Sequence, residues 1–321
     1  MVSASAGWAI AGDAIYHTAD GARTWRDVTP AVVPVRDGEP FFLGNSAWLF
    51  SSAQCSVYYT ADGGATWKHS APVISAPPTS LRGLLCTGPA QITFADANHG
   101  LLGFGPEAMM TSIVSLYATT DGGASWQLIN NDPHVEWFYT VDSQLIMGVT
   151  QLPQGGSELW QSRDGGHTWE LAPIQYPATA LAVQRPVSFD GGGLWSGVTV
   201  IAVDNGKSLW LQRSTSGGTH WALEGTPLAL SGNGVLDACL VSETVAFVVG
   251  AAGTLSATTD GGATWNAVAT HPSAMENISF PSSTMGWALD PNGTLLTTSD
   301  GGHAWMTVPY TIAANANASS P

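Results

Sequence analysis

Apolar and polar residues alternate along this chain in short runs, bounded by clusters of Gly, Pro, Asn, Asp and Ser. A period of two marks strands with one buried face, and helical periodicity is almost absent, so the pattern predicts an all-β protein. The runs come in fours. Asn277–Pro281, Gly286–Asp290, Thr294–Thr298 and Trp305–Val308 form one set. Val235–Val241, Thr244–Gly250, Thr254–Thr258 and Trp265–Val268 form another, and Gln91–Ala95, Gly100–Phe104, Ser115–Thr119 and Trp126–Ile129 a third. One aliphatic position recurs seven times, as Ile15, Val57, Leu116, Leu159, Leu211, Leu255 and Leu295. A strand packed against a neighbouring sheet requires such a fixed inward position.

Three residues after each aliphatic, a Ser or Thr opens a short motif. Its fullest copies are Thr60-Ala-Asp62-Gly63-Gly64-Ala-Thr66-Trp67 and Thr258-Thr-Asp260-Gly261-Gly262-Ala-Thr264-Trp265. The closing tryptophans are Trp25, Trp67, Trp126, Trp169, Trp221, Trp265 and Trp305, separated by 42, 59, 43, 52, 44 and 40 residues. That is the period of a four-stranded propeller blade, and it predicts seven blades in one domain spanning residues 1–321. Mechanically, Asp-Gly-Gly is a tight turn: glycine accepts positive φ, and the carboxylate bonds amides inside the turn. Asp20, Asp62, Asp121, Asp164, Asp260 and Asp300 are therefore read as turn caps between the third and fourth strands, and the tryptophans as blade packing. Ser216 stands in place of Asp in the fifth copy, which predicts a looser turn, and Ala22 replaces the second Gly in the first.

The motif resembles the Asp-box, or BNR, repeat, Ser-x-Asp-x-Gly-x-Thr-Trp, of sialidases, xyloglucanases, sortilin and the photosystem II stability and assembly factor. With Gly7-Trp8-Ala9 and Gly286-Trp287-Ala288 upstream of their boxes, the spelling is most similar to the assembly-factor group. The resemblance implies a propeller that serves as a binding scaffold. That factor engages its partner through a basic patch, from which nine basic residues and a net charge of −15 depart sharply.

The acidic balance disfavours nucleic acid and anionic lipid, and no run reaches the roughly 20 apolar residues of a membrane helix. Low Lys with high Gly, Ser, Thr and Trp suits an extracytoplasmic protein, secreted or periplasmic. Met1-Val-Ser-Ala-Ser carries no export signal, so that signal is expected outside this chain. Of three cysteines, Cys55 and Cys86 flank the same blade-two region and are expected to form a disulfide, leaving Cys239 as a buried thiol. Trp8 lies too close to Met1 to leave blade one an innermost strand, and the tail Tyr310–Asn317 is expected to fill that place.

Loops opposite the boxes carry the long insertions: Val28–Pro40, Lys68–Ala90, Phe104–Ile113, Glu170–Arg185 and Ala222–Gly234. Binding residues are expected there, with Arg36, Arg82, Glu136, Tyr176 and Arg185 as candidates for a protein or glycan ligand. Three arginines on one face also match the number with which sialidases hold a carboxylate, but the Arg-Ile-Pro segment and a Tyr/Glu nucleophile are missing. A glycoside hydrolase would need two carboxylates about 5–9 Å apart, drawn from Asp37, Glu39, Glu107, Asp132, Glu136 and Asp204, with Glu224 and Glu276 as further loop acids. There is no zinc spacing, phosphate loop or nucleophile elbow, so neither metal nor cofactor is expected. The reading is a monomeric binding or assembly scaffold, with a polysaccharide hydrolase as the alternative.

Overall fold

The computed structural model describes residues 1–31, 40–74, 86, 90–104, 115–131, 133–151, 157–174, 182–183, 199–204, 208–230, 235–250, 252–270, 275 and 277–313. They form an all-β, seven-bladed propeller of four-stranded blades. Blade one holds β1 (Gly7–Ala11), β2 (Ala14–Thr18) and β3 (Thr24–Asp27). Blade two holds β4 (Phe41–Leu43), β5 (Ser46–Ser51), β6 (Ser56–Thr60) and β7 (Lys68–His69), and blade three β8 (Ala90–Phe94), β9 (Gly100–Phe104), β10 (Ser115–Thr119) and β11 (Gln127–Asn130). Blade four holds β12 (Trp137–Thr140), β13 (Ile146–Gln151), β14 (Ser157–Ser162) and β15 (Glu170–Leu171), and blade five β16 (Ala182–Val183), β17 (Thr199–Asp204), β18 (Ser208–Ser214) and β19 (Ala222–Ala229). Blade six holds β20 (Val235–Leu240), β21 (Ala246–Gly250), β22 (Thr254–Thr258) and β23 (Asn266–Thr270). Blade seven holds β24 (Asn277–Ser279), β25 (Gly286–Leu289), β26 (Leu295–Thr298) and β27 (Met306–Thr307), and β28 (Thr311–Ala313) follows.

The strands fall into two compact units. One takes Ala6–Thr150, Trp160–Glu170 and the segment from Thr311 onward; the other takes Met1–Ser5, Gln151–Leu159 and Leu171–Tyr310. In the first, Trp48 stacks on Phe94 at 3.8 Å between ring centroids, beside Phe50, Phe104 and Tyr117. In the second, Phe247 stacks on Phe280 at 3.7 Å. The recurring aliphatics supply the rest of this packing: Ile15, Val57, Leu116 and Leu255 are fully buried.

Innermost strands are clamped to one another by side chains that imitate backbone. Gln91 of β8 donates its amide to Phe138 O (2.7 Å) and accepts Phe138 N–H (2.9 Å). In the other unit, Asp237 of β20 accepts Ile278 N–H (2.7 Å), and Cys239 Sγ accepts Phe280 N–H (3.4 Å). Cys239 is fully buried and carries no disulfide.

Two sequence-based expectations need correction. The tail joins blade one, but not as its innermost strand: β28 pairs in parallel with β3, at the opposite edge of the sheet. Only Val308–Tyr310 separate β27 from β28. Three residues span about 10 Å, whereas crossing from the outer to the inner edge of a blade takes three strand spacings of about 4.8 Å. The tail therefore stays outside. The second correction concerns Ala222–Gly234, read as a loop: β19 occupies most of it. Pro227 and Gly225 disguised it, yet both suit an edge strand, where a register shift and Gly225 at φ +61° accommodate them.

Cys55 and Cys86 are joined by a disulfide with 5.7 Å between Cα atoms, and both lie in the core cluster with Val57, Val73 and Phe104. The bridge closes a loop across a sequence separation of 31 residues, which in the loop-entropy account stabilises by about 3–4 kcal/mol. Reduction under native conditions, or Cys86→Ser, should lower the melting temperature by several degrees; an unchanged melt would show that the bridge adds nothing.

Candidate functional site

The boxes come first, because their carboxylates are the most conspicuous acids. In box two, Thr60 Oγ1 donates to Asp62 Oδ1 (2.7 Å) and accepts Gly64 N–H (3.1 Å). Asp62 in turn accepts Thr66 N–H (2.9 Å) and the Thr66 hydroxyl (2.6 Å). The same set recurs around Asp121, Asp164 and Asp260. Asp20 and Asp300 keep the backbone bonds. Boxes two, three, four, six and seven are also tied to the first turn of their own blades, as in Gly63 N–H to Asn45 O and Gly261 N–H to Thr244 O, both 2.9 Å. In box five, Ser216 Oγ accepts His220 N–H at 2.8 Å, but it has no second oxygen and His220 has no hydroxyl to offer. The box turn survives there with one bond fewer. Ala22 in box one adopts φ +71° and is fully buried, a conformation that costs a non-glycine residue about 1–2 kcal/mol.

These carboxylates are spent on their own turns. Hydrogen bonds from the Thr264 hydroxyl and amide and from Thr258 hold Asp260 at about 2. For Asp62, partial desolvation pushes upward, but the bonds from Thr66 and Thr60 outweigh it and the net shift is down. Neither can hold a proton for acid catalysis near neutral pH. The box tryptophans are engaged likewise: Trp67 Nε1 donates to Val28 O (2.7 Å), and Trp126, Trp169 and Trp305 to the second glycine's carbonyl in their own boxes. Trp25 and Trp221 are buried, and Trp265 packs against the Leu209–Leu211 cluster.

At the opposite end of the strands, one described part of the loop-bearing face lies at the entry to blade four. His134 takes a left-handed backbone (φ +57°) and stacks on Trp160 with centroids 5.9 Å apart. The Thr150 hydroxyl donates to His134 O. Glu136 N–H donates to Val149 O (2.9 Å), and Glu136 Oε2 is shielded from solvent. A non-glycine residue in this region of backbone space marks a segment whose surroundings over-determine it. Sequence reasoning found Glu136 but missed His134, Thr150 and Trp160, whose signal is conformational and not compositional.

Of the other predicted site residues, Asp204 ends β17 and faces Ala182 and Leu209 in the ladder, so its backbone is a strand end and not a free loop. Glu224 lies within β19. Arg36, Arg82, Tyr176, Arg185, Asp37, Glu39, Glu107, Asp132 and Glu276 lie outside the described residues. Among the described residues there is no group of three or more His, Cys, Asp or Glu placed to hold a metal, and no helix long and apolar enough to cross a membrane.

Beside box two, burial holds the His17 imidazole below its ordinary 6.5; a hydrogen bond that the imidazole donates to the Asn45 side chain opposes this and the nearby Arg26 charge adds to it. His17 contributes stability that is present above about 6.5 and lost as pH falls through its folded value. The box carboxylates contribute stability present above their ordinary 3.8 and lost as pH falls toward about 2. Urea midpoints should therefore drop in two stages on acidification, and His17→Gln should remove the first. Asp62→Ala should cost about 1–2 kcal/mol at pH 7 through unpaired turn donors. A single-stage profile unaffected at His17, or a neutral Asp62→Ala, would refute these assignments.

Comparison with known proteins agrees with this geometry. A family model described as Photosynthesis system II assembly factor YCF48 matches residues 193–299, and one for the BNR/Asp-box repeat matches residues 58–69. No curated protein sequence matches the chain. Among solved structures, YCF48 bound to D1 peptide is similar over 93% of this chain and 91% of that one, at 20% identity and a TM-score of 0.60. YCF48 from Cyanidioschyzon merolae is similar over 91% of each chain, at 15% identity and a TM-score of 0.55. An ancestral GH74 enzyme is similar over 98% of this chain but 47% of its own, at 12% identity and a TM-score of 0.58. The chain is an Asp-box repeat propeller, similar in fold to YCF48 and, more distantly in sequence, to the propellers of GH74 enzymes.

Proposed function

We propose that this propeller is an extracytoplasmic binding or assembly scaffold that engages a polypeptide and does not turn it over. The observation that carries the reading is the likeness, across nearly the whole chain, to YCF48 bound to D1 peptide. The site chemistry supports it: box carboxylates are committed to turns and held ionised, so they do not protonate a leaving group. The Cys55–Cys86 disulfide supports an oxidising compartment. With a net charge of −15, the ligand is neutral or basic, and the protein acts as a monomer.

The likeness to the ancestral GH74 enzyme favours a second reading, polysaccharide hydrolysis. Reducing-sugar release from plant and bacterial polysaccharides between pH 4 and pH 7 separates the two. The scaffold reading expects no turnover, with a specific protein partner recovered by cross-linking from the periplasm or culture fluid. Sustained release abolished by Glu136→Gln or by one of the loop Asp→Asn changes would replace it with the hydrolase.

A further inference from the structure

The joint between blades one and two is closed by two aromatic side chains of blade one. Trp8 on β1 stacks on Phe42 of β4 with ring centroids 5.0 Å apart, and its Nε1 donates to Gly44 O at 2.8 Å, in the first turn of blade two. His17 on β2 faces Trp8 in the ladder, and the two rings lie 4.6 Å apart. The imidazole also rests on box two: a methyl added at Gly63 would lie 2.8 Å from His17 Cε1 and 3.0 Å from Nδ1. The ring donates to the Asn45 side chain, and its Nε2 is shielded from solvent without a partner. One imidazole thus touches Trp8, the first turn and the box glycine, with one nitrogen satisfied and the other dry.

The same position elsewhere in the repeat shows what a charge needs there. His17 stands one residue before Thr18, which opens box one; Arg213 stands one residue before Ser214, which opens box five. Arg213 lies beside the first glycine of box six, 3.8 Å from a methyl placed on Gly261, and pairs with Glu243 at 2.7 Å. Glu243 precedes Thr244, whose carbonyl receives the Gly261 N–H, and the matching residues in blade two are Gly44 and Asn45. Where blade six presents a carboxylate, blade two therefore presents a glycine. The charged groups around His17 offer no replacement. β1 and the Gly44–Asn45 turn carry none, and Arg26 faces His17 directly across the ladder from β3. The carboxylates of Asp27 and Asp62 are bonded to Thr29 and to Thr60 and Thr66.

We infer that His17 is an acid-operated latch: neutral, it holds the first turn and the box of blade two against blade one, and protonated, it releases them. The added proton turns Nε2 into a donor with no acceptor in a place shielded from water, the costly case for a buried polar group. It also sets a cation opposite Arg26, a like-charge pair across a ladder. Opening admits water to Nε2, so the open joint binds the proton more readily than the closed one, and acid favours opening. The latch acts on one joint and not on the whole fold. Between blades two and three, Trp48 Nε1 donates to Gly122 O at 2.8 Å, and the latch position holds Tyr59 in place of a histidine. This pH response belongs to the propeller itself, whatever it binds.

The test is hydrogen exchange of the Trp8 and Trp48 indole N–H groups in the full chain, read by NMR as protection factors between pH 5 and pH 7. Protection at Trp8 should fall by up to about tenfold per pH unit below the ordinary histidine value of 6.5, while protection at Trp48 stays constant. His17→Gln should abolish the pH dependence at Trp8. Asn45→Asp, which supplies the missing carboxylate, should abolish it by the opposite route: the charged imidazole gains a partner, and protection holds or rises on acidification. Three results would overturn the latch. They are Trp8 protection independent of pH in the unaltered protein, an equal fall at Trp48, which would report loosening beyond this joint, or a fall at Trp8 that persists undiminished in either variant.

Discussion

A glycine without a side chain, seated on a neighbouring blade, is the contact on which the rest of this structure depends. A methyl added at Gly64 would lie 2.5 Å from Val28 Cβ; at Gly302, 2.6 Å from Leu255 Cδ2; at Gly166, 2.8 Å from Leu116 Cδ2; at Gly262, 3.0 Å from Leu211 Cδ1. Each glycine is the second of its box, and three of the four partners are the recurring aliphatic three residues ahead of the previous box. The box is therefore two devices in one. Its Ser or Thr and Asp hold the turn shut with side-chain bonds, and the shut turn sets a bare backbone against the next sheet's core. The two positions repeat together because neither works alone: a loose turn would not present the glycine, and a bulkier residue would not let the blade approach.

This commitment explains why the most repeated acids and aromatics are not the functional ones. Their oxygens are occupied by the turns, four of the seven indole N–H groups donate to backbone carbonyls, and the carboxylates stay ionised. The left-handed His134 against Trp160 is a feature that departs from the repeat. Repetition reports architecture, and the breaks in it are where other demands on the chain show.

Much of the fold was legible because its two signals are local. Glycine tolerance of positive φ ties Asp-Gly-Gly to a turn wherever it occurs, and the aliphatic three residues earlier tracks the strand before it. What failed was non-local or conformational. The edge chosen by β28 depends on how far three residues can reach, which no alternation of apolar and polar positions encodes. β19 was hidden by Pro227 and Gly225, residues that read as a loop but are tolerated where one side of a strand is unpaired. His134 carries no compositional mark at all, since its backbone angle is imposed by Thr150 and Trp160 from elsewhere in blade four. Of the loop residues chosen from chemistry alone, Glu136 is the one whose surroundings are described, and its place beside His134 could not be read from spacing.

The seat of the box glycine is tested most directly by comparing Gly64→Ala with Gly12→Ala in equilibrium urea unfolding. Both glycines have positive φ, +78° and +59°, but a methyl at Gly12 meets nothing within 4 Å whereas one at Gly64 meets Val28. Both variants carry the backbone cost of about 1–2 kcal/mol. If the bare glycine is the packing point between blades, Gly64→Ala loses a further ~1–3 kcal/mol or more, and trimming the partner with Val28→Ala in the same chain recovers part of that excess. Equal losses for the two single variants, with no recovery on trimming Val28, would contradict the account.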